Sequence, residues 1–475
     1  MQPIKKTKMV CTIGPASEPR EILESLIDAG MNVMRLNFSH GDFDEHGGRI
    51  KTVKAIKAET GKECAILLDT KGPEIRTGDF EGGVAQFKKG QTSVVCFEDI
   101  EGTSDRFSIS YKGLYQDVIP GGIILVNDGQ VELRVEKVEG KDIVTTCLND
   151  GAVKNKRGIN VPGIKLGFDY LSEKDISDIT FGCEQGINYV AASFVRRADD
   201  VKQVRALLDK NGRPDVQIIA KIENSEGVEN MDEILEVADG IMVARGDLGV
   251  EVPAEDVPLI QKELIRKCNA VGKVVITATQ MLESMQMNPR PTRAEVSDVA
   301  NAIFDGSDAV MLSGESAQGN YPLEAVQTMA KVAMKTETAL DHGSLFRKAE
   351  RTAKNDDSDE AICMSVTEIA NKFNVAAIVA FTESGRTAQR ISRFRPSCPI
   401  LAATPHVMTM KRLAINWGVH AVVCEPVTKV ENMVPYAIEL AKEFGVEAGE
   451  KILVTGGNPG QVGSTNFLNL VVAVK

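Results

Sequence analysis

The chain repeats one pattern eight times between residues 8 and 313: a short apolar run, a polar turn and an amphipathic stretch. Strands that alternate with helices in this way build a parallel sheet. The eight runs are KMVCTI (8–13), NVMRL (32–36), CAILLD (64–69), YVAASF (189–194), VQIIAKI (216–222), GIMVA (240–244), VVITAT (274–279) and AVMLS (309–313). Eight such units close a (β/α)8 barrel, so we predict an α/β fold built on a TIM barrel.

One interruption separates the third run from the helical segment SEKDISDITFGCEQG, whose Ser172 and Asp175 have the spacing of a capping box. The interruption contains alternating, turn-rich runs such as GIILVNDGQVELRV, which are typical of β-hairpins. We therefore predict an inserted all-β domain over residues 71–167, which divides the barrel domain into 1–70 and 168–340. An insertion after the C-terminal end of a barrel strand is expected to form a mobile cap over the catalytic face.

The last part of the chain has a different pattern. The polar stretch DHGSLFRKAERTAKNDDSDE predicts a linker. After it, helical segments alternate with the strands AAIVAF, PILAAT, HAVVC and KILVT. This alternation predicts a third domain over residues 358–475 with an open α/β sheet.

Composition excludes several classes of protein. No apolar run has transmembrane length and no leader pattern opens the chain, so we expect neither membrane spanning nor secretion. The nine cysteines show no C-x-x-C spacing, which favours reduced thiols in the cytoplasm and disfavours a zinc site. The net charge of −12 disfavours nucleic acid as a partner. An anionic substrate would therefore need local cations.

Two predicted strand ends carry the chemistry. AKIEN and ARGDLG place Glu223 and Asp247 at the ends of neighbouring strands, and Lys221 shares a strand face with Glu223. Two carboxylates without His or Cys favour a hard cation, Mg²⁺ or Mn²⁺. A lysine beside such an ion suits phosphoryl transfer, which depends on positioning and charge stabilisation. The structural alternative is an exposed ion pair that closes the strand.

Other predicted strand ends add polar side chains, which gather at the catalytic face of the barrel. They are Arg35, Asn37 and Ser39; Asp69, Thr70, Glu74 and Arg76; Thr279; and Ser313 and Glu315. Each has a structural alternative when taken alone. Arg35 could pair with Asp69, and Asn37 and Ser39 could cap a helix. Five polar clusters at the same end of one barrel favour a single active site.

The same stretches resemble the pyruvate kinase family. The resemblance rests on CTIGPAS, MNVMRLNFSHG, LLDTKGPEIRTG, KIENSEG, MVARGDLGVE, TATQMLESM and NPRPTRAEVSDVANAIFDGSDAVMLSGESA, and it extends over nearly the whole chain. It implies transfer of the phosphoryl group of phosphoenolpyruvate to ADP, the final step of glycolysis, with Mg²⁺ (or Mn²⁺) and K⁺ as cofactors. It also favours a homotetramer.

Two other functions are alternatives to this one. A Mg²⁺-dependent lyase of pyruvate-like acids on a similar barrel would use the carboxylate pair without needing ADP or Lys221. A non-catalytic sensor that binds sugar phosphates through the third domain is the other. The presence of Lys221, Glu223 and Asp247 disfavours the sensor.

The resemblance implies a role for each matching residue. Lys221 would stabilise the phosphoryl group in flight, and Arg76 would lie near it. The phosphoenolpyruvate set is Arg35, Lys221, Gly246, Asp247 and Thr279; the Mg²⁺ ligands are Glu223 and Asp247; the K⁺ ligands are Asn37, Ser39, Asp69 and Thr70; the nucleotide set is Arg76 and Arg157. Arg157 stands where relatives usually have lysine. Thr279, through water, is the leading candidate for the final proton transfer, although a threonine hydroxyl is a weak acid on its own.

A loop in the third domain has the pattern of a phosphate site. In AFTESGRTAQR a strand ends, a small polar turn follows and a helix begins, which can present backbone N–H groups to a phosphate or can be an ordinary capped turn. The resemblance implies an effector, fructose 1,6-bisphosphate first and a sugar monophosphate or AMP second, with GGNPGQVGSTN (456–466) as a partner loop. The implied residues are Thr382, Ser384, Gly385, Arg386 and Thr387. Glu383 and Asn458 depart from the pattern of effector-binding relatives.

Overall fold

The computed structural model describes residues 4–353, 357–457 and 465–474. Eight parallel strands close into a barrel in the spatial order β1-β8-β7-β6-β5-β4-β3-β2. Their bounds are β1 Lys8–Thr12, β2 Val33–Asn37, β3 Ala65–Asp69, β4 Tyr189–Ala192, β5 Gln217–Ile222, β6 Gly240–Ala244, β7 Val274–Ala278 and β8 Ala309–Leu312. The predicted barrel is thereby confirmed, with one strand in each of the eight apolar runs.

Helices surround the barrel and bury the outer faces of its strands. They are Arg20–Asp28, Phe43–Thr60, Glu173–Glu184, Ala198–Lys210, Ser225–Glu229, Met231–Val237, Arg245–Glu251, Val257–Val271, Arg293–Asp305, Gly314–Ala317 and Pro322–Glu337, with a 3₁₀ turn at Glu283–Gln286. The predicted capping box is present: the Ser172 hydroxyl accepts the N–H of Asp175, whose carboxylate accepts the N–H of Ser172. Because the helices cover the outer face of each strand and the other face lies in the packed barrel interior, the strands carry nearly continuous apolar sequence.

Residues between β3 and β4 form a separate β structure, which we call the cap. Its strands are Ile75–Arg76, Val84–Phe87, Thr92–Cys96, Arg106–Ser108, Ile123–Val126, Val131–Glu139, Asp142–Cys147, Gly151–Lys154 and Gly158–Asn160, with short helical turns at Glu81–Gly83 and Leu114–Asp117. Seven of these strands form one sheet and two form another. Phe80, Phe87 and Phe107 pack edge-on or tilted in a core of the cap's own.

The chain crosses between barrel and cap twice, and a barrel side chain holds each crossing. On the outward crossing the N–H of Gly72 donates to Oδ1 of Asp175 at 3.0 Å. On the return crossing the Arg196 guanidinium donates to the carbonyl of Leu166 at 3.0 Å and stacks over the ring of Phe168. Both ends of the cap are therefore attached to fixed points on the barrel.

The C-terminal part contains a five-stranded sheet in the order Val419–Val423, Ile400–Thr404, Ala377–Phe381, Lys451–Gly456, Phe467–Val472. Its helices are Ser358–Phe373, Arg386–Arg393, Val407–Arg412 and Met433–Glu443, with a 3₁₀ turn at Val430–Asn432. The predicted open α/β sheet is confirmed, and the antiparallel edge strand Phe467–Val472 is an addition to the prediction. The predicted linker differs, since it contains the helix His342–Glu350, which has no fully buried residue.

This C-terminal sheet lies against the N-terminal end of the barrel, opposite the cap. The ammonium of Lys8, at the start of β1, donates to the carbonyl of Val419 at 2.5 Å. Arg395 forms an ion pair of 2.7 Å with Asp308, which directly precedes β8. Burial lowers the pKa of Lys8 to about 7. Among the helices that the structure describes, none is long and apolar enough to cross a membrane.

Candidate active site

The ammonium of Lys221 lies at the centre of a buried polar cluster at the C-terminal end of the barrel. Its Nζ is 2.9 Å from Oε1 of Glu223, 3.0 Å from Oδ1 of Asp69 and 2.7 Å from Oγ of Ser193. Lys221 is 8% exposed and Glu223 is 1% exposed. The pair is therefore not the exposed ion pair that was the structural alternative. Although burial lowers the pKa of Lys221, the carboxylates of Asp69 and Glu223 raise it above its usual value.

Asp69 is shared by two cations. Its Oδ2 accepts a hydrogen bond of 2.6 Å from Nε of Arg35, and its Oδ1 accepts one from Lys221. Burial acts to raise the pKa of Asp69, but the charges of Arg35 and Lys221 hold it below its usual value. Asp69 therefore stays an anion, and it fixes Arg35 and Lys221 relative to each other. The Arg35–Asp69 pair that the sequence suggested as an alternative is present.

The two carboxylates predicted to bind metal, Glu223 and Asp247, have oxygens that other protein groups leave available for a ligand bond. Oε2 of Glu223 accepts the backbone N–H of Phe194 at 2.6 Å, but Oε1 is buried and receives no hydrogen bond from the described residues, although Lys221 lies close to it. Asp247 is half-buried and also accepts no hydrogen bond within the described ranges. Burial, reinforced by Asp247, raises the pKa of Glu223 to about 7. A hard cation would supply the missing partner, so the donor set fits Mg²⁺ or Mn²⁺.

Few carboxylate or imidazole side chains among the described residues are placed to bind a metal at this site. Within residues 4–353, 357–457 and 465–474 no group of three or more His, Cys, Asp or Glu side chains could hold a metal. Glu223 and Asp247 would therefore supply two ligands, and the remaining positions would be filled by water and substrate oxygens, as is usual for Mg²⁺.

Thr279 follows β7 and is in contact with the loop after β6. Its Oγ accepts the backbone N–H of Gly246 at 2.8 Å and donates to the carbonyl of Ala278 at 2.7 Å. The backbone of Thr279 has φ = +68°, which is rare for a β-branched residue. In this arrangement the hydroxyl proton is directed to Ala278, so delivery of a proton to substrate requires the hydroxyl to rotate.

The predicted K⁺ ligands lie at the ends of β2 and β3. The strand register places Asn37 opposite Asp69. Oδ1 of Asn37 accepts the N–H of Ser39 at 3.1 Å, and Oγ of Thr70 accepts the N–H of Ser193 at 3.0 Å. The structure thus brings the oxygen-bearing side chains close together, although both oxygens of Asp69 are already hydrogen-bonded.

Arg76 lies on a strand at the base of the cap, and Arg157 directly precedes the partner strand Gly158–Asn160. The Arg76 guanidinium is 2.7 Å from the carboxylate of Glu74 and donates to the carbonyl of Lys156 at 2.9 Å. Arg157 is exposed. Both arginines line a cleft of about 280 Å³ that Asp247 also lines.

The site residues are divided between two clefts. Arg35 and Asn37 line a second cleft of about 410 Å³ beside β1 and β8. His40 lines both clefts, so they meet there. A substrate pair held in these clefts would approach the Lys221 cluster from two sides.

Two residues have structural or bridging roles that the sequence did not indicate. Ser193 bonds Lys221, and its Oγ donates to the carbonyl of Thr70 at 2.7 Å. Its position after β4 was the available signal. Glu315, predicted among the cleft residues, is instead fully buried, and its carboxylate accepts the N–H groups of Leu282 and Ser313. Glu315 therefore joins two loops, since both of its oxygens are used by backbone.

The predicted effector loop precedes the helix Arg386–Arg393. Gly385 has φ = +88° and donates its N–H to Oγ of Thr382 at 2.9 Å. Ser384 and Arg386 are exposed. Thr387 is buried, with its Oγ 2.7 Å from Oγ of Thr465. Glu383, the acidic residue that departs from the pattern of effector-binding relatives, lies 2.8 Å from Nε2 of His406. Most of the partner loop, including Asn458, lies outside the described residues.

Comparisons with known proteins agree with this geometry. The family profile described as pyruvate kinase, barrel domain, matches residues 4–326, and that of the pyruvate kinase alpha/beta domain matches residues 360–471. A pyruvate kinase of Bacillus licheniformis is 52% identical over 472 residues, which are 99% of this chain and 80% of that protein. One of Clostridium acetobutylicum is 49% identical over 472 residues, covering 99% of this chain and all of that protein.

The closed barrel and the family match together define the chain as a phosphotransferase. The chain belongs to the pyruvate kinase family. Its reaction is the transfer of the phosphoryl group of phosphoenolpyruvate to ADP, which yields pyruvate and ATP in glycolysis.

Proposed function

We propose that Lys221 supplies the positive charge that stabilises the phosphoryl group during its transfer from phosphoenolpyruvate to ADP. The observation that carries this proposal is its buried ammonium, which bonds Asp69 and Ser193 and lies beside Glu223. Its raised pKa keeps it charged at neutral pH, and a fixed positive charge in a buried site stabilises the charge spread over a transferring phosphoryl group.

Glu223 and Asp247 would hold Mg²⁺, or Mn²⁺ in its place. The Oε1 of Glu223, which has the Lys221 ammonium beside it, and the half-buried Asp247 carboxylate, which accepts no hydrogen bond within the described part of the chain, support this assignment. When bound, the ion would neutralise negative charge on the phosphoryl and enolate oxygens. Lys221 would stay beside it, so that two positive charges act on the same group.

Phosphoenolpyruvate would be held by Arg35, by the backbone at Gly246 and Asp247, and by Thr279. Arg35 is anchored by Asp69 and by Oγ of Thr12 at 2.8 Å, which leaves it a fixed orientation at the second cleft. After phosphoryl transfer the enolate is protonated at C3. Thr279, acting through water, is our candidate for this step, since its hydroxyl lies at the end of β7 next to the Gly246 loop.

Asn37, Ser39, Asp69 and Thr70 would bind K⁺. The support is their common position at the ends of β2 and β3, with Asn37 opposite Asp69 in the strand register, and the Glu74 carboxylate that follows β3 in the chain. Lys71 lies 3.8 Å from the Glu74 carboxylate and Arg76 lies 2.7 Å from it. A monovalent cation would complete the positive field around the phosphate.

ADP would be contacted by Arg76 and Arg157, which face Asp247 across the first cleft. Both belong to the cap, so closure of the cap over the barrel would bring these arginines to the phosphates and exclude water.

We also propose an effector site at the loop of Thr382, Ser384, Gly385, Arg386 and Thr387. Exposed Ser384 and Arg386 beside a helix start are its support, and the contact of His406 with Glu383 reduces the local negative charge when the imidazole is protonated. Fructose 1,6-bisphosphate is the first candidate and a sugar monophosphate or AMP the second.

A homotetramer in the cytoplasm completes the proposal. Within the described residues no strand pairs with the outer side of Phe467–Val472, and Leu259 and Met287 are large apolar side chains that are 66% and 71% exposed. All nine cysteines are free, as suits a reducing compartment.

The direct test is ADP-dependent release of pyruvate from phosphoenolpyruvate by the purified chain. Activity that requires ADP, Mg²⁺ and an intact Lys221 is expected. Release of pyruvate without ADP would favour the lyase alternative, and binding of sugar phosphates with no turnover would favour a sensor.

A further inference from the structure

Arg245 is the first residue after β6, and its side chain reaches the end of β7. One of its terminal nitrogens donates to the carbonyl of Thr279 at 2.6 Å, and its Nε donates to the carbonyl of Ala278 at 3.3 Å. The other terminal nitrogen pairs with Asp298 at 2.7 Å. The side chain is 11% exposed, so these contacts use most of it. Arg245 thus donates hydrogen bonds to the carbonyls of both Ala278 and Thr279, which lie on either side of the Thr279 Cα.

The backbone that Arg245 holds is strained. Thr279 has φ = +68° and Gln280 has φ = +53°. Left-handed backbone is disfavoured for residues other than glycine, most of all for a β-branched one, and it persists only where the surroundings enforce it. Two such residues in succession need contacts that fix the direction of their carbonyls, and the Arg245 guanidinium supplies those contacts.

The next residue fixes the side chain of the same threonine. The N–H of Gly246 donates to Oγ of Thr279 at 2.8 Å. Residues 245 and 246 therefore hold both the backbone and the hydroxyl of Thr279. No other side chain among the described residues makes two hydrogen bonds to the carbonyls of Ala278 and Thr279.

We propose that Arg245 is a positioning residue for Thr279 in protonation of the enolate, an inference that rests on the role proposed for Thr279 above. Without the guanidinium, residues 279 and 280 would relax towards ordinary backbone conformations and would carry the hydroxyl away from C3 of the substrate. Phosphoryl transfer at Lys221 would be less affected, because Arg245 makes no contact with that cluster. A displacement of about 1 Å is enough to lower a rate by roughly a hundredfold.

The test compares Arg245→Met, Thr279→Ala and the double variant. The readout is hydrogen exchange at C3 of pyruvate, which requires the enolate site and no phosphoryl group in flight. Each single change should lower the exchange rate by roughly a hundredfold, and the double change should lower it no further, since residues that act as one unit are not additive. Arg245→Lys should restore part of the rate, because an ammonium can bond one carbonyl but cannot form the fork.

Arg213→Met is the matched control. Arg213 also bonds two backbone carbonyls, those of Cys183 at 3.1 Å and Ile187 at 2.8 Å, and also pairs with an aspartate, Asp215 at 2.8 Å. These contacts lie at the N-terminal end of the barrel. Its removal should lower thermal stability while leaving the exchange rate unchanged.

The outcomes separate this inference from the proposed function. The positioning role would be overturned if the losses of the two single variants multiplied in the double variant, or if Arg245→Met exchanged as fast as Arg213→Met. A raised Mg²⁺ requirement in Arg245→Met would also overturn it, because Arg245 would then act through Asp247. If Thr279→Ala is impaired and Arg245→Met and Arg245→Lys are not, only this inference fails. If Thr279→Ala exchanges at the full rate, the proposed role of Thr279 fails, and the inference fails with it.

Discussion

The Lys221 ammonium and the Asp69 carboxylate are 3.0 Å apart although their strands, β5 and β3, are not neighbours in the barrel. Ser193, at the end of the intervening β4, bonds Lys221 and fills the space between the two strands. Three consecutive strands of the barrel thus converge on one cation. Its position is fixed before any substrate arrives, which is the condition for electrostatic stabilisation without reorganisation.

Replacing Lys221 should affect phosphoryl transfer more than protonation of the enolate. Lys221→Met is expected to lower phosphoryl transfer by roughly a thousandfold or more, the scale seen when a positioned cation on a transferring phosphate is lost. Hydrogen exchange at C3 of pyruvate should fall much less. Lys273→Met is the control, because Lys273 bonds the carbonyls of Leu235 and Ala238 far from the cleft. Equal losses in both assays would contradict the role assigned to Lys221.

The second prediction concerns Mg²⁺ and pH. Because the pKa of Glu223 is raised to about 7, a proton competes with the metal below that pH. The half-saturating Mg²⁺ concentration should therefore rise as pH falls below about 7, approaching tenfold per pH unit, and should be flat above it. Asp247→Asn should raise the requirement at every pH, since one ligand loses its charge. A Mg²⁺ requirement that does not change between about pH 6 and 8 would refute the assignment of Glu223.

The third prediction is activation by K⁺. With only large organic cations present, activity should fall, because Arg76 and Lys71 stay paired with Glu74 and no monovalent cation adds positive charge beside the proposed phosphate site. Glu74→Lys should reduce the dependence by placing a fixed positive charge there. Rates measured with K⁺ and with tetramethylammonium at equal ionic strength provide the check. Undiminished activity in tetramethylammonium would rule out the K⁺ site.

The fourth prediction concerns Lys8, at the contact between barrel and C-terminal sheet. Burial, reinforced by Lys5 and opposed by Glu337, lowers its pKa from 10.5 to about 7. Between these values the unfolded chain binds more protons than the folded one, so the free energy of unfolding should rise with pH, by up to about 1.4 kcal/mol per pH unit. Lys8→Met should reduce this slope, and the remainder would come from Lys5, whose pKa burial also lowers, to about 8.

The measurement for Lys8 is urea unfolding at about pH 7 and about pH 9. Lys88→Met serves as the control, because Lys88 is exposed and pairs only with Asp150 at 3.5 Å. The slope should persist in the control. Identical slopes in the wild type and in Lys8→Met would show that Lys8 keeps its proton in the folded protein.

The fifth prediction is activation through the loop at Ser384. Fructose 1,6-bisphosphate should lower the phosphoenolpyruvate concentration needed for half-maximal rate, and phosphoenolpyruvate should tighten effector binding by the same factor. Ser384→Ala together with Thr387→Ala should abolish this activation, whereas Ser365→Ala, on an exposed part of the helix Ser358–Phe373, should preserve it. Hyperbolic kinetics without response to the bisphosphate, a sugar monophosphate or AMP would mean that the loop is only a turn.

The barrel was predictable because its strands are buried on both faces. Each apolar run identified in the sequence corresponds to one strand, with ends that differ by at most two residues, as for Tyr189–Ala192 within 189–194. The helix His342–Glu350 was not predicted, because its sequence is mostly polar and it buries none of its residues fully. The edge strand Phe467–Val472 was missed for a related reason, since most of its side chains are only partly buried.

In the candidate site, short-range geometry was predictable and long-range geometry was not. Lys221 and Glu223 lie two residues apart, and the alternation of a strand puts them on one side. The contact of Lys221 with Asp69 depends on how three strands are arranged around the barrel, which the sequence does not contain locally. The left-handed backbone of Thr279, whose carbonyl accepts a hydrogen bond from Arg245 at the end of the neighbouring strand β6, is contrary to the preference of threonine itself.

The two fixed crossings between barrel and cap limit how the cap can move. A rigid body held at two separate points has one free motion, a rotation about the line through them. Asp175 defines one point through Gly72, and Arg196 defines the other through Leu166. A third contact, in which the side-chain amide of Asn160 donates to Glu251 at 2.8 Å, also joins the cap to the barrel, so a swing about this line would have to break it before the edge with Arg76 and Arg157 moved away from Asp247.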